Sequence, residues 1–590
     1  MFLGLIASVW ASGAAEAAAW HWASALILLA AGLAWPAVAT RTWIGASVLA
    51  LTAWTLVHTL FIASSYSPAG LFHPLFLLTG FALGKRAPRA DGVPILEVAS
   101  FATLTIVCYA LVVAGPAGAA LAAPFETPAA LAALINLALL PLLVLALWEA
   151  KRSWLGQISI ALLFAGLIGA ASRGGWIGLL VGLGFAALIF HGRLPAWRNA
   201  LWVAGSACLG AGIVAVVRAV GILQGAEGAS HRAWAGLPAL FSPSALQVDS
   251  SLSRLELYAA AFDAVLRHSP FGSGYLSFAQ VLEAARARVP SYGSENVTFF
   301  VHNDYLQTLL ELGLPGAGAL LVVVLLPLGL LLLYRDRLSP REVVRCTASA
   351  AALAAMAFQG GVDFPFYIPV CLAVFGVLLG TLDARFISAG VGLLGVRLQT
   401  QAREVASIRR ITLATGAVLL LVPLAAEWSL AYGNARWKEG LGEKAAYGFE
   451  LARRLQPADW RYAWFAGKFW TAQAAATRKP EAAKLADASF ARGFEANPLE
   501  VKNLLGRIEL QRSLGHLLEK PASPLELESW SATALTLAPL NQRVRLERIL
   551  VLEKGGDIDA ARTEAARFAL EEPGNRGAWF LAERLARRPH

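Results

Sequence analysis

The sequence predicts an all-α protein: a polytopic membrane helical bundle of about 12 to 13 transmembrane helices with a helical-repeat domain after it on the outer face. Three observations carry this expectation. Of the 590 residues 57% are hydrophobic and only 15% charged, with 19 Trp, a balance far more apolar than that of an average soluble domain. The apolar residues fall into runs of roughly 17 to 25, long enough to cross a bilayer as helices. The charges are segregated, since 25 of the 49 Lys and Arg and 21 of the 39 Asp and Glu lie from Glu427 onward.

Apolar runs lie near 2 to 18, 22 to 39, 43 to 63, 67 to 83, 94 to 115, 128 to 148, 154 to 171, 174 to 191, 199 to 220, 317 to 334, 346 to 361, 365 to 382 and 408 to 426. The first 20 residues lack a positively charged start and read as a weak spanning segment, not a cleaved leader. Arg41, Lys85/Arg86/Arg89, Lys151/Arg152, Arg193/Arg198, Arg335 to Arg345 and Arg385 to Arg410 occupy alternate connections, which the positive-inside rule makes cytoplasmic. Arg173, the loop 221–316, Asp363 and the tail are then expected on the outer face. The formal charge of +10 is accounted for by this orientation signal, so no nucleic-acid partner is expected. Cys108, Cys208, Cys346 and Cys371 fall in or beside apolar segments without paired spacing, which argues against a disulfide framework or a zinc site.

These features divide the chain into 1–426, a membrane domain including a large loop at 221–316, and 427–590, a soluble tail. Within the loop, Ser250-Ser251-Leu252-Ser253 precedes Leu255, Ala259, Phe262 and Leu266, the spacing of a serine-capped amphipathic helix whose apolar face would rest on the bundle or at the lipid interface. In the tail Pro457, Pro498, Pro539 and Pro573 recur at intervals of 41, 41 and 34 residues, each closing an Ala/Leu-rich stretch. The last interval matches the tetratricopeptide period, so the tail reads as divergent helical repeats that bind a partner or brace a neighbour.

Two polar islands stand out against this background. Ser172-Arg173-Gly174-Gly175 interrupts two apolar runs with one arginine, which is costly near a bilayer unless it has a ligand or an interfacial exit. The stretch Val301-His302-Asn303-Asp304-Tyr305-Leu306-Gln307, continuing to Glu311, surrounds a histidine able to hold or release a proton near neutral pH. Asp304 and Glu311 are seven apart and share a face of any continuous helix, although a solvated face would explain them equally. Arg254 is expected in the first turn of the loop helix, where the helix dipole disfavours a cation unless an anion is bound; Asp249, Glu256 and Asp263 are alternative partners. No Gly-rich Lys-Ser/Thr loop and no Asp-x-Asp pair on the outer side is present, so neither a nucleotide nor a metal is expected.

The order of these motifs, Ser172-Arg173-Gly174 between two helices, an Arg254-led helix followed by Pro270-Phe271-Gly272-Ser273-Gly274, then His302-Asn303-Asp304-Tyr305-Leu306 through Glu311 and Gly313, resembles the O-antigen ligase and polymerase superfamily over residues 20 to 426. The resemblance implies a bacterial inner-membrane glycosyltransferase that moves a glycan from undecaprenyl diphosphate to an acceptor hydroxyl on the periplasmic side. It implies a metal-independent, inverting reaction without cofactor. His302 would serve the acceptor hydroxyl or leaving group, Arg173 and Arg254 would hold the diphosphate, and Asn303, Asp304, Tyr305 and Glu311 would support them. Lipid A core, a growing polysaccharide and a protein are all acceptors the resemblance allows, so ligase, polymerase and protein O-oligosaccharyltransferase all fit. The repeat tail departs from the simplest ligases and leaves a protein partner open. A lipid-linked glycan transporter or an assembly scaffold is the non-enzymatic alternative; a transporter should carry charges along a midplane path, whereas here they gather at the outer mouth.

Overall fold

The computed structural model describes residues 42–63, 67, 69–86, 95–113, 121, 127–149, 154–191, 195–223, 250–268, 270–285, 300–393, 421–572 and 574–587. Its regular elements are helical, and the described residues contain no β-strand. Contacts divide the chain into two units, one of residues 1–58, 69–251 and 300–421, the other of 59–68, 252–299 and 422–590.

The first unit contains α1 (Trp43–Val57), α2 (Ala69–Arg86), α3 (Ile95–Val113), α4 (Pro128–Val144), α5 (Trp154–Ala170), α6 (Arg173–Phe190) and α7 (Trp197–Leu223). After the loop come α10 (Asp304–Tyr334), α11 (Pro340–Gly360) and α12 (Pro369–Ser388). Ten of the expected spans fall on described residues, and each coincides with one of these helices; 2 to 18, 22 to 39 and most of 408 to 426 lie outside them. Seven helices are long and apolar enough to cross a membrane: Trp43–Ile62, Pro128–Glu149, Arg173–Phe190, Trp197–Val220, Asp304–Arg337, Pro340–Gly360 and Pro369–Ser388. Helices α4 and α12 are nearly all buried, whereas α7 shows Trp197, Leu201, Leu209 and Val216 outward, the side chains a lipid-facing helix requires.

Small residues let these helices approach. Gly80 and Gly84 on α2 face Gly376 and Gly380 on α12, and a Cβ at any of the four would lie 2.0–2.4 Å from a backbone carbonyl of the other helix. This mutual small-xxx-small contact lets the two backbones touch, where van der Waals packing stands in for the missing hydrophobic drive between membrane helices. At the end of this seam Lys85 Nζ lies 2.9 Å from Asp383 Oδ2, with side chains 6% and 0% exposed.

Helix α10 differs from the expected 317–334 span. It begins at Asp304, so the polar cluster forms its first turns and the apolar run its continuation. Asn303 supplies the start signal, its Oδ1 accepting from the Leu306 N–H at 3.0 Å. At Gly313 the helix kinks with φ +68° and ψ −171°, a conformation tolerated almost only by glycine. Pro315 adds to the break, and the Leu312 carbonyl takes the Trp54 indole N–H at 2.9 Å.

The second unit holds the loop helices α8 (Ser250–His268) and α9 (Phe278–Ala285), a helical stretch over 421–438, and α13 (Gly442–Leu455), α14 (Trp460–Thr477), α15 (Pro480–Ala496), α16 (Val501–Leu514), α17 (Pro524–Leu537), α18 (Gln542–Gly555), α19 (Ile558–Glu571) and α20 (Arg576–Ala586). Neighbours in sequence pack on one another through most of this series, and α9 packs on α17. The prolines recur for a local reason. Pro457, Pro498 and Pro539 follow the ends of α13, α15 and α17, and two residues later Asp459, Glu500 and Asn541 cap the next helix; Asn575 caps α20, while Pro573 lies outside the described residues. Gln280 of α9 hydrogen-bonds the Glu500 side chain, and burial pushes that carboxyl above the usual range.

Helix α8 departs from its sequence reading in two respects. The serines lie inside the helix, not before it, which puts Arg254 one turn in from the start. The buried face is Leu257, Ala260, Ala261, Ala264 and Val265, whereas Leu255, Phe262 and Leu266 of the expected apolar stripe are 56–67% exposed. Both faces carry apolar residues, so periodicity alone does not select between them.

Candidate functional site at the mouth of the membrane unit

Five helices of the first unit run between two chemically distinct ends. At one end Arg345 Nη2 meets Glu149 at 3.3 Å, Arg385 Nη1 meets Glu342 at 2.7 Å, and Arg335 bonds the Ile189 carbonyl and His191. At the other end lie the starts of α4, α6 and α10 and the turn 361–367 between α11 and α12. The expected site residues of this unit gather there.

His302 precedes α10 in a left-handed conformation, φ +61°, which is uncommon outside glycine. This turn directs its ring to Asp363, Nδ1 to Oδ1 at 3.4 Å, and sets it edge-on to Phe364 with ring centroids 5.0 Å apart. Asp363 Oδ1 also accepts the Phe364 N–H at 3.1 Å, so its own turn fixes the carboxylate. Phe300 stacks flat on Phe364, centroids 4.0 Å apart. Aromatic rings thus wall the histidine while the carboxylate orients it.

Below it the polar side chains of α10 form a buried network. Asp304 and Glu311 are both 0% exposed, which excludes the solvated face that their spacing also allowed. Asp304 Oδ2 accepts the Phe366 N–H at 2.8 Å; Gln307 Oε1 accepts the Val301 N–H at 3.0 Å and its Nε2 donates to Glu311 at 3.0 Å. Tyr367 donates to the other Glu311 oxygen at 2.9 Å, and Tyr305 to the Ala357 carbonyl at 2.6 Å. Asn303 is the cap described above. Asp304, Tyr305 and Glu311 therefore tie the start of α10 to the end of α11 and the 363–367 turn. Asp304 Oδ1 is buried without a hydrogen-bond partner, while the bonds that are made hold the start of α10 in a single arrangement.

Arg173 is the first residue of α6 and is exposed; Ser172 caps the helix, its Oγ accepting from the Gly175 N–H at 3.2 Å. A helix start attracts anions through its free N–H groups and dipole, and an arginine there adds charge and a bidentate fork. A Cβ on Gly174 would lie 3.5 Å from the Val362 side chain, so the Ser-Arg-Gly stretch abuts the turn that holds Asp363 and, through it, His302. Arg254 is half-buried on α8 in the second unit, where Asp263 pairs with Arg267 at 2.8 Å. Asp363 and Tyr367 are site residues that sequence motifs did not single out. Among the described residues no group of three His, Cys, Asp or Glu is arranged to hold a metal ion.

The chain is thus a polytopic helical membrane protein whose polar residues converge on one end of its bundle. Residues 158–321 match the family model described as O-antigen ligase, a span that includes Arg173, Arg254 and His302. The match supports a glycosyltransferase-like function of the O-antigen ligase or polymerase type, with lipid-linked glycan and acceptor as substrates. No curated protein matches the chain.

Proposed function

We propose that the chain transfers a glycan from undecaprenyl diphosphate to an acceptor hydroxyl on the periplasmic side of a bacterial inner membrane, as an O-antigen ligase does. The observation that carries this reading is the His302–Asp363 pair beside the Arg173 helix start, with His302 and Arg173 both inside the matched family segment. The acceptor oxygen attacks the anomeric carbon and the carbon–oxygen bond to the diphosphate breaks, inverting the configuration. The hydroxyl proton passes to His302 Nε2, while Asp363 on Nδ1 stabilises the imidazolium. The electron pair leaves on the diphosphate oxygen, which Arg173 and Arg254 neutralise in the place a divalent metal would take. The tail supplies acceptor or partner recognition as a tetratricopeptide-like module, and the opposition of the basic and His302-bearing ends supports the outward placement of the site.

The test is transfer from a purified lipid-linked glycan. Arg173→Ala, Arg254→Ala and His302→Ala are each expected to lower it at least about 100-fold with the protein still folded, and lysine at the two arginines to restore only part, since it lacks the fork. Near-normal transfer by His302→Ala removes it from the reaction. Transfer is expected to be equal with and without EDTA; loss that Mg²⁺ restores would give the charge-neutralising role to a metal. Sidedness has its own measurement: cysteines introduced in the tail should react with an impermeant maleimide in intact spheroplasts, and those at 335–345 should not. The reverse pattern overturns the orientation.

A further inference from the structure

Asn136 lies within the apolar helix α4, 1% exposed, where a leucine would suit the surroundings. Its Nδ2 donates to the Gly175 carbonyl at 2.8 Å and to Gln359 Oε1 at 3.2 Å. Those two acceptors settle which way the amide faces, because the reverse orientation would set oxygen against oxygen. Gln359, also 1% exposed, stands at the end of α11, and its backbone carbonyl accepts the N–H groups of Val362 at 3.0 Å and Asp363 at 2.8 Å. A continuous path of hydrogen bonds therefore leads from Gly175, two residues past Arg173, through Asn136 and Gln359 to Asp363 and His302.

Two glycines are shaped to this path. A Cβ on Gly178 would stand 2.9 Å from the Gln359 side chain, and one on Gly175 would stand 2.6 Å from Ala132 on α4. The amide also carries a cost that a stability role does not explain, for Asn136 Oδ1 is buried without a hydrogen-bond partner. An apolar residue of similar volume would avoid that penalty.

We infer that Asn136 is a positioning residue, which with Gln359 sets the spacing between the Arg173 helix start and the Asp363–His302 pair. Its kinetic consequence rests on the glycan-transfer reading given above; its structural consequence does not. An arginine holding the diphosphate and a histidine serving the incoming hydroxyl act on opposite sides of one anomeric carbon. A shift of about 1 Å between them is worth about 100-fold in rate even when each still binds its group.

The experiment uses the full-length protein in nanodiscs, as wild type, Asn136→Asp, Asn136→Leu, Gln359→Glu and Gln359→Leu. Asn136→Asp keeps the shape and loses the donor, Gln359→Glu keeps an acceptor, and Gln359→Leu removes it. For Asn136→Asp, Asn136→Leu and Gln359→Leu, kcat should fall about 10- to 100-fold with KM for the lipid-linked donor within about twofold, while Gln359→Glu stays within about threefold of wild type. Backbone amide exchange should rise in both 173–178 and 361–366 in either Asn136 variant. Wild-type kcat in Asn136→Asp, or faster exchange confined to α4, overturns the inference. Should the Asn136 variants fail to fold, equal kcat in Gln359→Leu and Gln359→Glu overturns it. A wild-type protein that moves no glycan defeats the functional reading instead, and the exchange pattern alone then decides whether Asn136 positions these segments.

Discussion

Asp363→Asn is expected to lower kcat for glycan transfer by at least about 100-fold, with little change in the amount of folded protein. The amide oxygen of asparagine can still accept the Phe364 N–H that Asp363 Oδ1 takes at 3.1 Å, so the turn keeps its shape. What disappears is the negative charge 3.4 Å from His302 Nδ1. A neutral amide neither stabilises an imidazolium nor fixes which ring nitrogen carries the proton, and both are needed if Nε2 is to take the acceptor's proton. The measurement is steady-state transfer beside the elution profile and thermal midpoint of the same preparation. Wild-type kcat in the variant would mean that the carboxylate is only a turn residue.

The largest stability effect is expected from the buried ion pair. Lys85→Met alone should destabilise the membrane unit by about 3–5 kcal/mol, because it leaves Asp383 buried and unmatched. The ammonium at 2.9 Å is the cation beside the Asp383 carboxylate, which also takes a hydrogen bond from the neutral Thr42 hydroxyl, and Lys85 Nζ in turn lies over the Phe81 ring, 5.2 Å from its centroid. Asp383→Leu alone should do comparable harm by stranding the lysine. The double variant Lys85→Met, Asp383→Leu should recover most of the lost thermal midpoint in detergent, since two apolar side chains of similar size satisfy the seam that the glycine contacts have already closed. Additive losses in the double variant would show that each residue acts through packing and not through the other's charge.

Hydropathy placed the membrane helices well because length and apolarity are what the bilayer selects, and the ten expected spans within the described residues are helices. It failed at the start of α10 for the same reason: Asp304, Gln307 and Glu311 depress any hydropathy window, yet they are buried against one another and the 363–367 turn. The Asn303 cap was the local signal that a helix begins there. His302 and Arg173 were legible as polar residues isolated among apolar ones. Asp363 was not, since it meets His302 across 61 residues of chain and sits in no recognisable spacing. Asn136 and Gln359 escaped notice because a single amide in an apolar run identifies neither its partner nor its task. In the tail, proline spacing revealed the rhythm, but the capping residue two positions after each described proline explains it.

Residues 252–299 group with 422–590, and α9 packs on α17. The loop and the tail therefore pack as one unit, although the 122 residues 300–421 of the membrane unit separate them along the chain. A chimaera that borrows the tail alone from a related protein would carry a docking face for α9 shaped to a different loop, and one that borrows the loop alone would meet the converse mismatch. Transplanting either segment between such proteins therefore calls for exchanging both together.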